Sequence, residues 1–168
     1  MNMYQGNYYQ LMSEYNRWMN QRLYSVCADI PDEKRKADLG AFFKSIHGTL
    51  NHILWADRIW LRRFTGEPFV VGKMGEDVYA DFETLRAERD TLDEFILDWA
   101  RNLRADWLAG LYKFTSVQDG KTRRGPAWVF VTQLFNHQTH HRGQVDDLAQ
   151  TARFRSGCYR YSMASGGD

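Results

Sequence analysis

Three of the chain's five histidines lie within five consecutive residues, at His137, His140 and His141. If this segment is helical, His137 and His141 are one turn apart on the same face, with Cβ atoms roughly 6 Å apart. Two imidazoles at this spacing can converge on one ion, so the pattern predicts half of a metal site. The alternative is a pair of hydrogen-bonded core histidines, because an HxxxH pattern also arises by chance.

His52 is the candidate for a third ligand. It lies among apolar residues of another predicted helix, where an unpaired imidazole nitrogen would cost about 1–3 kcal/mol. Three neutral imidazoles leave at least one coordination position open, as catalytic zinc sites do. We therefore predict that His52, His137 and His141 bind one divalent ion, and zinc, nickel, iron or copper all suit these ligands. The sequence pattern assigns no catalytic residue.

Four further polar residues have other predicted roles. His47 precedes the third candidate ligand by five residues, about 140° around the helix, and is expected to bind no metal. His140 is expected to pack or bond beside the site. Gln144 should face the same cavity as His137, where it holds a bound molecule or bonds to a neighbouring helix. Asp57 either orients a histidine or pairs with an arginine, and the pairing is the preferred interpretation.

The sequence lacks the motifs of several enzyme classes. A zinc peptidase needs a glutamate next to the first histidine of HExxH, and that position is Gln138, whose amide cannot act as a general base. The sequence has neither a glycine-rich phosphate loop nor a Gly-x-Ser-x-Gly elbow. These absences leave metal-dependent chemistry as the best supported class.

Apolar residues recur every three or four positions in four segments, and we predict a helix for each. The first helix ends near Pro31. The second begins with Asp38 as its N-cap, includes Phe42 and ends at 65–66. Asp81 caps the third helix, and the fourth begins at 125–126 with Pro126 in its first turn.

The segments between these helices complete the predicted fold. Residues 66–80 contain three glycines and a proline and form one long crossover loop, while Asp119-Gly120 predicts a short hairpin-like segment before the last helix. Gly143, inside the fourth helix, suggests a close helix contact or a nearby ligand. The predicted fold class is all-α, a four-helix bundle.

Length and composition indicate one domain over residues 1–155 and a flexible tail over 156–168. Cys27 and Cys158 do not form a disulfide framework, and there is no signal-like N-terminus or membrane-length apolar run. We therefore expect a soluble cytoplasmic protein. A net charge of +1 gives little attraction for nucleic acid, and the basic stretches 121–124 and 153–160 are interpreted as a solvated loop and part of the tail.

Two stretches, 48–60 (GTLNHILWADRIW) and 135–144 (FNHQTHHRGQ), closely resemble the DinB/YfiT-like family of metalloenzymes, and the helical layout extends this over nearly the whole chain. The resemblance implies one divalent ion, zinc or nickel, bound by His52, His137 and His141, and a homodimer. It does not imply the DNA polymerase that shares the name DinB. Characterised relatives in the superfamily include bacillithiol transferases and a mycothiol-dependent isomerase.

The leading hypothesis is a metal-dependent enzyme that activates a thiol or water as a nucleophile, such as a low-molecular-weight-thiol S-transferase or a hydrolase. Its substrate is expected to be a small molecule, with a low-molecular-weight thiol as the best single candidate. The alternative is a non-catalytic bundle, stabilised by its metal, with a binding role in a stress response. Nucleic-acid binding is the least supported hypothesis, because its charge support is only local.

Overall fold

The structure is a computed structural model that describes residues 4–116 and 119–151. Its described part is mostly helical, as the sequence predicts. The elements, in chain order, are α1 (Tyr4–Ala28), α2 (Asp32–Lys36), α3 (Ile46–Thr65), α4 (Phe82–Arg101), α5 (Ala105–Ala109), β1 (Leu111–Thr115), β2 (Thr122–Pro126) and α6 (Ala127–Thr151). The predicted tail over 156–168 lies outside the described residues, as does Cys158.

The helix ends follow local signals in the sequence. The Asp81 carboxylate accepts a hydrogen bond from the Thr84 backbone N–H at 2.7 Å, so its predicted capping role at the start of α4 is confirmed. Gly66 ends α3 in the left-handed conformation at φ 81°, which glycine adopts without steric cost. The predicted stop before Pro31 is also confirmed, because α1 ends at Ala28.

The predicted start of the second long helix is wrong. Asp38 does not cap it but accepts a hydrogen bond from Gly40 N–H in a turn. The helix begins at Ile46, and its N-cap is Ser45, whose hydroxyl accepts from Gly48 N–H at 2.9 Å. Short-range side-chain bonds of this kind compete with helix formation. As a consequence, Phe42 lies outside the helix and is 81% exposed.

Two smaller predictions also need correction. Pro126 is the last residue of β2 and precedes α6 instead of lying in its first turn. A Cβ built on Gly143 would have no neighbouring heavy atom within 4 Å, so Gly143 does not mark a close contact with another helix of the described chain. The hairpin prediction is confirmed, since β1 and β2 pair antiparallel from Leu111 with Pro126 to Thr115 with Thr122.

Pairs of contacting side chains show how the four long helices run. Helices α3 and α6 are antiparallel, because Trp60 lies by Phe130 and His52 lies by His137. Helices α1 and α4 are antiparallel as well, whereas α3 and α4 run in the same direction, with Asp57 next to Arg89 and Phe64 stacked on Trp99.

Parallel consecutive helices need a connection that returns along their length, which explains the long predicted loop between α3 and α4. This loop is fastened to α3, because the Trp55 indole donates to the Gly72 carbonyl at 2.8 Å and Arg58 donates to the Val70 carbonyl at 3.2 Å. The loop therefore covers one side of α3. None of the helices in the described part of the chain is long and apolar enough to cross a membrane.

The apolar core lies between the four long helices. Its fully buried side chains come from α1, α3, α4 and α6, and include Leu23, Leu50, Leu54, Leu61, Leu85, Ile96, Leu134 and Phe135. Removing such surface from water is the main stabilising term of a fold of this size. The core thus fixes α3 against α6, and these are the two helices that carry the histidines.

Candidate metal centre

The structure brings His52, His137 and His141 together between α3 and α6. The Nε2 atom of His137 lies 3.2 Å from His52 Nε2 and 3.1 Å from His141 Nε2. Two nitrogens bound at roughly 2.0–2.1 Å to a tetrahedral ion would lie about 3.3–3.4 Å apart. The spacing therefore fits a shared ion.

Hydrogen bonds among the three rings cannot pair all three Nε2 atoms. A neutral imidazole nitrogen has either one hydrogen or one lone pair, so His137 Nε2 cannot bond well to both neighbours at once. The Nδ1 atom of His141 lies 2.6 Å from the Gln144 side-chain oxygen, which is an acceptor, so this nitrogen carries the hydrogen and donates. His141 Nε2 is then left with its lone pair, as a metal ligand requires.

The surroundings of the rings favour their neutral form. Burial, together with the neighbouring His141 and His137, lowers the pKa of His52 to about 3. Burial and the neighbouring His141 lower the pKa of His137 to about 4. The pKa of His141 is also lowered by burial, against the opposing effect of its bond to Gln144. Because only unprotonated imidazoles bind metals, the three rings are in the form that a metal ion would need at neutral pH.

Phe43 is a residue of this site that the sequence reasoning missed. Its ring stacks on the His52 ring with centroids 3.8 Å apart and lies 5.7 Å from the His141 ring. A Cβ on Gly48 would collide with the Phe43 carbonyl oxygen, so only glycine allows this approach to α3. Gly48 is visible in the sequence, but the reason for a glycine there is the path of the loop before α3, which the sequence pattern does not give.

The four other polar residues lie where their predicted roles place them, or close to it. His47 faces away from the cluster and bonds to the Tyr79 carbonyl oxygen at 2.9 Å. The ring of His140 lies 4.9 Å from that of His141, beside the site. Gln144 faces the cavity as predicted, but it bonds to histidines of its own helix instead of a neighbouring one. Asp57 pairs with Arg89 at 2.5 Å, which confirms the arginine interpretation.

A buried polar network lies behind α6. Arg142 donates to Asn16 and to the Gln138 side-chain oxygen at 3.3 Å, and Asn20 donates to Asp93 at 3.0 Å and to Gln138 at 3.3 Å. Gln138 therefore points into the network and away from the three histidines. The network joins α1, α4 and α6, and it fixes the rotation of α6 that aims the histidines.

The histidines lie in the wall of a groove of about 1160 Å³ between α3 and α6. The long loop, β1 and β2 supply the remaining walls. Most of the lining is apolar, and the larger side chains are Phe42, Phe43, Trp55, Ile59, Trp60, Val71, Met74, Phe114, Val129 and Phe130. A small organic molecule can therefore reach the three histidines within a largely apolar space.

Fold and site together describe a mostly helical protein with a three-histidine cluster that could hold a metal ion. The sequence matches the DinB family over residues 3–152, and the chain belongs to this family. Protein DinB of Bacillus subtilis (strain 168) is 23% identical over 159 residues, which cover 89% of each chain.

A solved structure gives the same result for the fold. The crystal structure of a DinB-like protein from Bacillus cereus ATCC 10987 superposes with a TM-score of 0.65 at 20% identity, and the match covers 84% of this chain and 91% of that one. At this identity the likeness shows a shared fold. The family resemblance predicted from 48–60 and 135–144 is thus confirmed.

Proposed function

We propose that this protein is a divalent-metal-dependent enzyme whose ion is bound by His52, His137 and His141. The observation that carries the proposal is the convergence of three neutral Nε2 atoms, 3.1 and 3.2 Å apart along two sides, at the wall of a large groove. Three protein ligands leave room for another, which is the arrangement of catalytic sites. Zinc or nickel is the proposed ion.

A bound divalent ion would supply Lewis acidity, which lowers the pKa of a thiol or of water and makes it a nucleophile at neutral pH. The protein's own residues position this chemistry. Gln144 sets the tautomer of His141, and Phe43 holds the His52 ring by stacking. The aromatic walls provide a largely apolar space in which a small electrophile would lie. We propose a low-molecular-weight-thiol S-transferase or a hydrolase.

We also propose that the four long helices form a four-helix bundle, in which the ligands come from two facing helices. The homodimer implied by the family resemblance and the cytoplasmic location expected from the sequence remain predictions. The alternative function, a metal-stabilised binding protein with a role in stress, uses the same ligands but requires no turnover.

Metal content provides the first test. Protein prepared without metal-affinity purification should contain about one ion per chain by elemental analysis, because three ligands share one site. His137→Ala should lose this ion. His140→Ala is the matched control, since His140 is exposed on the same helix, and it should retain the metal. Equal metal content in all three proteins would rule out the proposed ligands.

Activity separates the enzyme from the binding protein. Conjugation of a model electrophile to bacillithiol, mycothiol or glutathione should be faster with metal-loaded protein than with chelator-treated protein. Equal rates in the two preparations would remove the transferase claim. A large loss of melting temperature on chelation, without any turnover, would instead support the metal-stabilised binding protein.

A further inference from the structure

The groove follows one face of α3 and one face of α6. On α3 its lining residues recur every three or four positions over about three turns, namely at His52, Trp55, Ala56, Ile59, Trp60 and Arg63. At a rise of 1.5 Å per residue, the Cα atoms of His52 and Arg63 are about 16 Å apart along the helix. The histidines and Arg63 therefore lie towards opposite ends of one elongated groove.

The charges along the groove have one sign. Among its described lining residues the cationic side chains are Arg62, Arg63, Lys73 and Arg123, and there is neither an aspartate nor a glutamate. The whole chain has nearly balanced charge, with 22 basic and 21 acidic residues, so this local imbalance is not a reflection of composition. A groove with walls of low polarity and only positive charges attracts an anion.

The Arg63 guanidinium packs against two aromatic rings. Its guanidinium carbon lies 5.0 Å from the centre of the Trp60 ring and 4.5 Å from that of Phe114. The Tyr112 hydroxyl donates to the Arg63 backbone carbonyl, which fastens the end of α3 to β1. No carboxylate lies within 4.0 Å of its guanidinium in the part of the chain that the structure describes. A half-buried arginine, held by two rings, thus keeps its hydrogen-bond donors for another partner.

The neighbouring cations differ from Arg63, which is half-buried, and Arg62 is exposed. Arg123 already binds Asp119 with two hydrogen bonds, at 3.0 and 2.8 Å. Lys73 is exposed and lies 3.8 Å from Glu76. Burial lowers the pKa of the Arg63 guanidinium, Tyr112 opposes this effect, and the nearby charge of Arg123 adds to it, so a bound anion would relieve the repulsion between the two arginines.

We propose that Arg63 forms an anion-binding subsite at the end of the groove remote from the three histidines. Its occupant is a carboxylate or a similar anionic group of a small molecule whose apolar, elongated body lies along Trp55, Ile59 and Trp60. This inference rests on the proposed function only for the idea that the molecule's other end reacts at the histidines. The subsite itself needs no metal.

The test compares two probes with the same apolar body, phenylhexanoate and phenylhexanol, by isothermal titration calorimetry. Wild-type protein, both as purified and after treatment with a chelator, should bind the carboxylate about tenfold more tightly than the alcohol, because a charge-assisted hydrogen bond is made only by the acid. Added salt should reduce this preference. Arg63→Met, which keeps an apolar stem on the two rings, should abolish it and leave binding of the alcohol unchanged.

Three further variants complete the design. Arg63→Lys keeps the charge and should retain part of the preference, which also shows that the site folds when position 63 is changed. Arg63→Gln provides a second uncharged variant if the methionine variant misfolds by circular dichroism. Arg124→Gln is the matched control, because Arg124 is exposed on β2 and does not line the groove, and it should behave as wild type.

Several results would overturn the subsite. These are equal affinity for the two probes in wild type, undetectable binding of the carboxylate, or an unchanged preference in the uncharged variants. A preference that disappears on chelation would place the carboxylate at the histidines and would also refute the proposal. A protein that lacks metal but prefers the carboxylate through Arg63 would instead contradict only the proposed metal-dependent function.

Discussion

Gly48 supports the site from one turn before His52 on α3. Its missing Cβ leaves the space that the Phe43 carbonyl oxygen occupies, and this approach places the Phe43 ring against the His52 ring. Gly143 on α6 has the opposite surroundings, since a Cβ there would meet nothing within 4 Å and the residue is exposed. A side chain would therefore be in steric conflict at Gly48 but not at Gly143.

Alanine substitutions at the two glycines should change the free energy of unfolding in opposite directions. Gly48→Ala forces the Phe43 backbone to move, so we expect the free energy of unfolding to fall by about 1–3 kcal/mol. Gly143→Ala should raise it by roughly 0.5–1 kcal/mol, because alanine loses less backbone entropy in a helix. Denaturant unfolding followed by circular dichroism measures both. The same sign of effect at the two positions would contradict the steric argument.

Four charged side chains, two arginines and two aspartates, are buried where α1, α3, α4 and α6 meet. Arg89 of α4 donates to Asp57 of α3 at 2.5 Å and to Asp93 at 2.9 Å, while Arg142 of α6 reaches the same network through Asn16 and Asn20. Burial raises the pKa of Asp57 and of Asp93, and Arg89 opposes this effect. The network specifies how the four helices are rotated.

Removal of the central cation should be costly. Arg89→Met leaves two buried carboxylates without their shared partner, so we expect a loss of about 3–5 kcal/mol in the free energy of unfolding. Arg101→Met, at an exposed position of the same helix, is the control and should change it by less than about 0.5 kcal/mol. A small effect of Arg89→Met, measured by urea unfolding, would show that the network contributes little to the packing of the helices.

For the whole molecule, the histidine cluster makes stability depend on pH. The lowered pKa values of His52 and His137, about 3 and about 4, mean that the folded chain leaves these rings neutral in mild acid. The unfolded chain protonates them near pH 6.5. As the pH falls from about 6.5 towards 4, the unfolded state therefore binds more protons, and the metal-free protein loses stability.

We expect this loss to reach on the order of 1 kcal/mol for each of the two histidines between about pH 7.5 and 5.5. The control is the variant with His52→Gln and His137→Gln, which should lose less stability over the same interval. Asp57, whose pKa burial raises, acts in the opposite sense in both proteins, so the difference between them isolates the histidines. Urea unfolding of chelator-treated protein at the two pH values measures it, and equal losses would refute the assignment.

The sequence alone determined the features that depend on neighbours within one helix. The spacing of apolar residues located the four long helices, Asp81 and Gly66 marked helix ends, and the four-residue spacing of His137 and His141 placed both rings on one face. These signals are local because a helix repeats every 3.6 residues, whatever it packs against. Family resemblance and burial together identified His52 as their partner.

Only the tertiary structure decided which faces meet. Asn16 and Asp93 are 77 residues apart and Asn16 and Arg142 are 126 apart, and no local pattern in the sequence indicates that they share one network. Phe43 became part of the site because a turn, and not the predicted helix, precedes Ser45. Arg63 acquired its place in the groove from the rings of Trp60 and Phe114, which come from different elements. Such contacts depend on how side chains pack between helices, and that packing is a property of the folded chain as a whole.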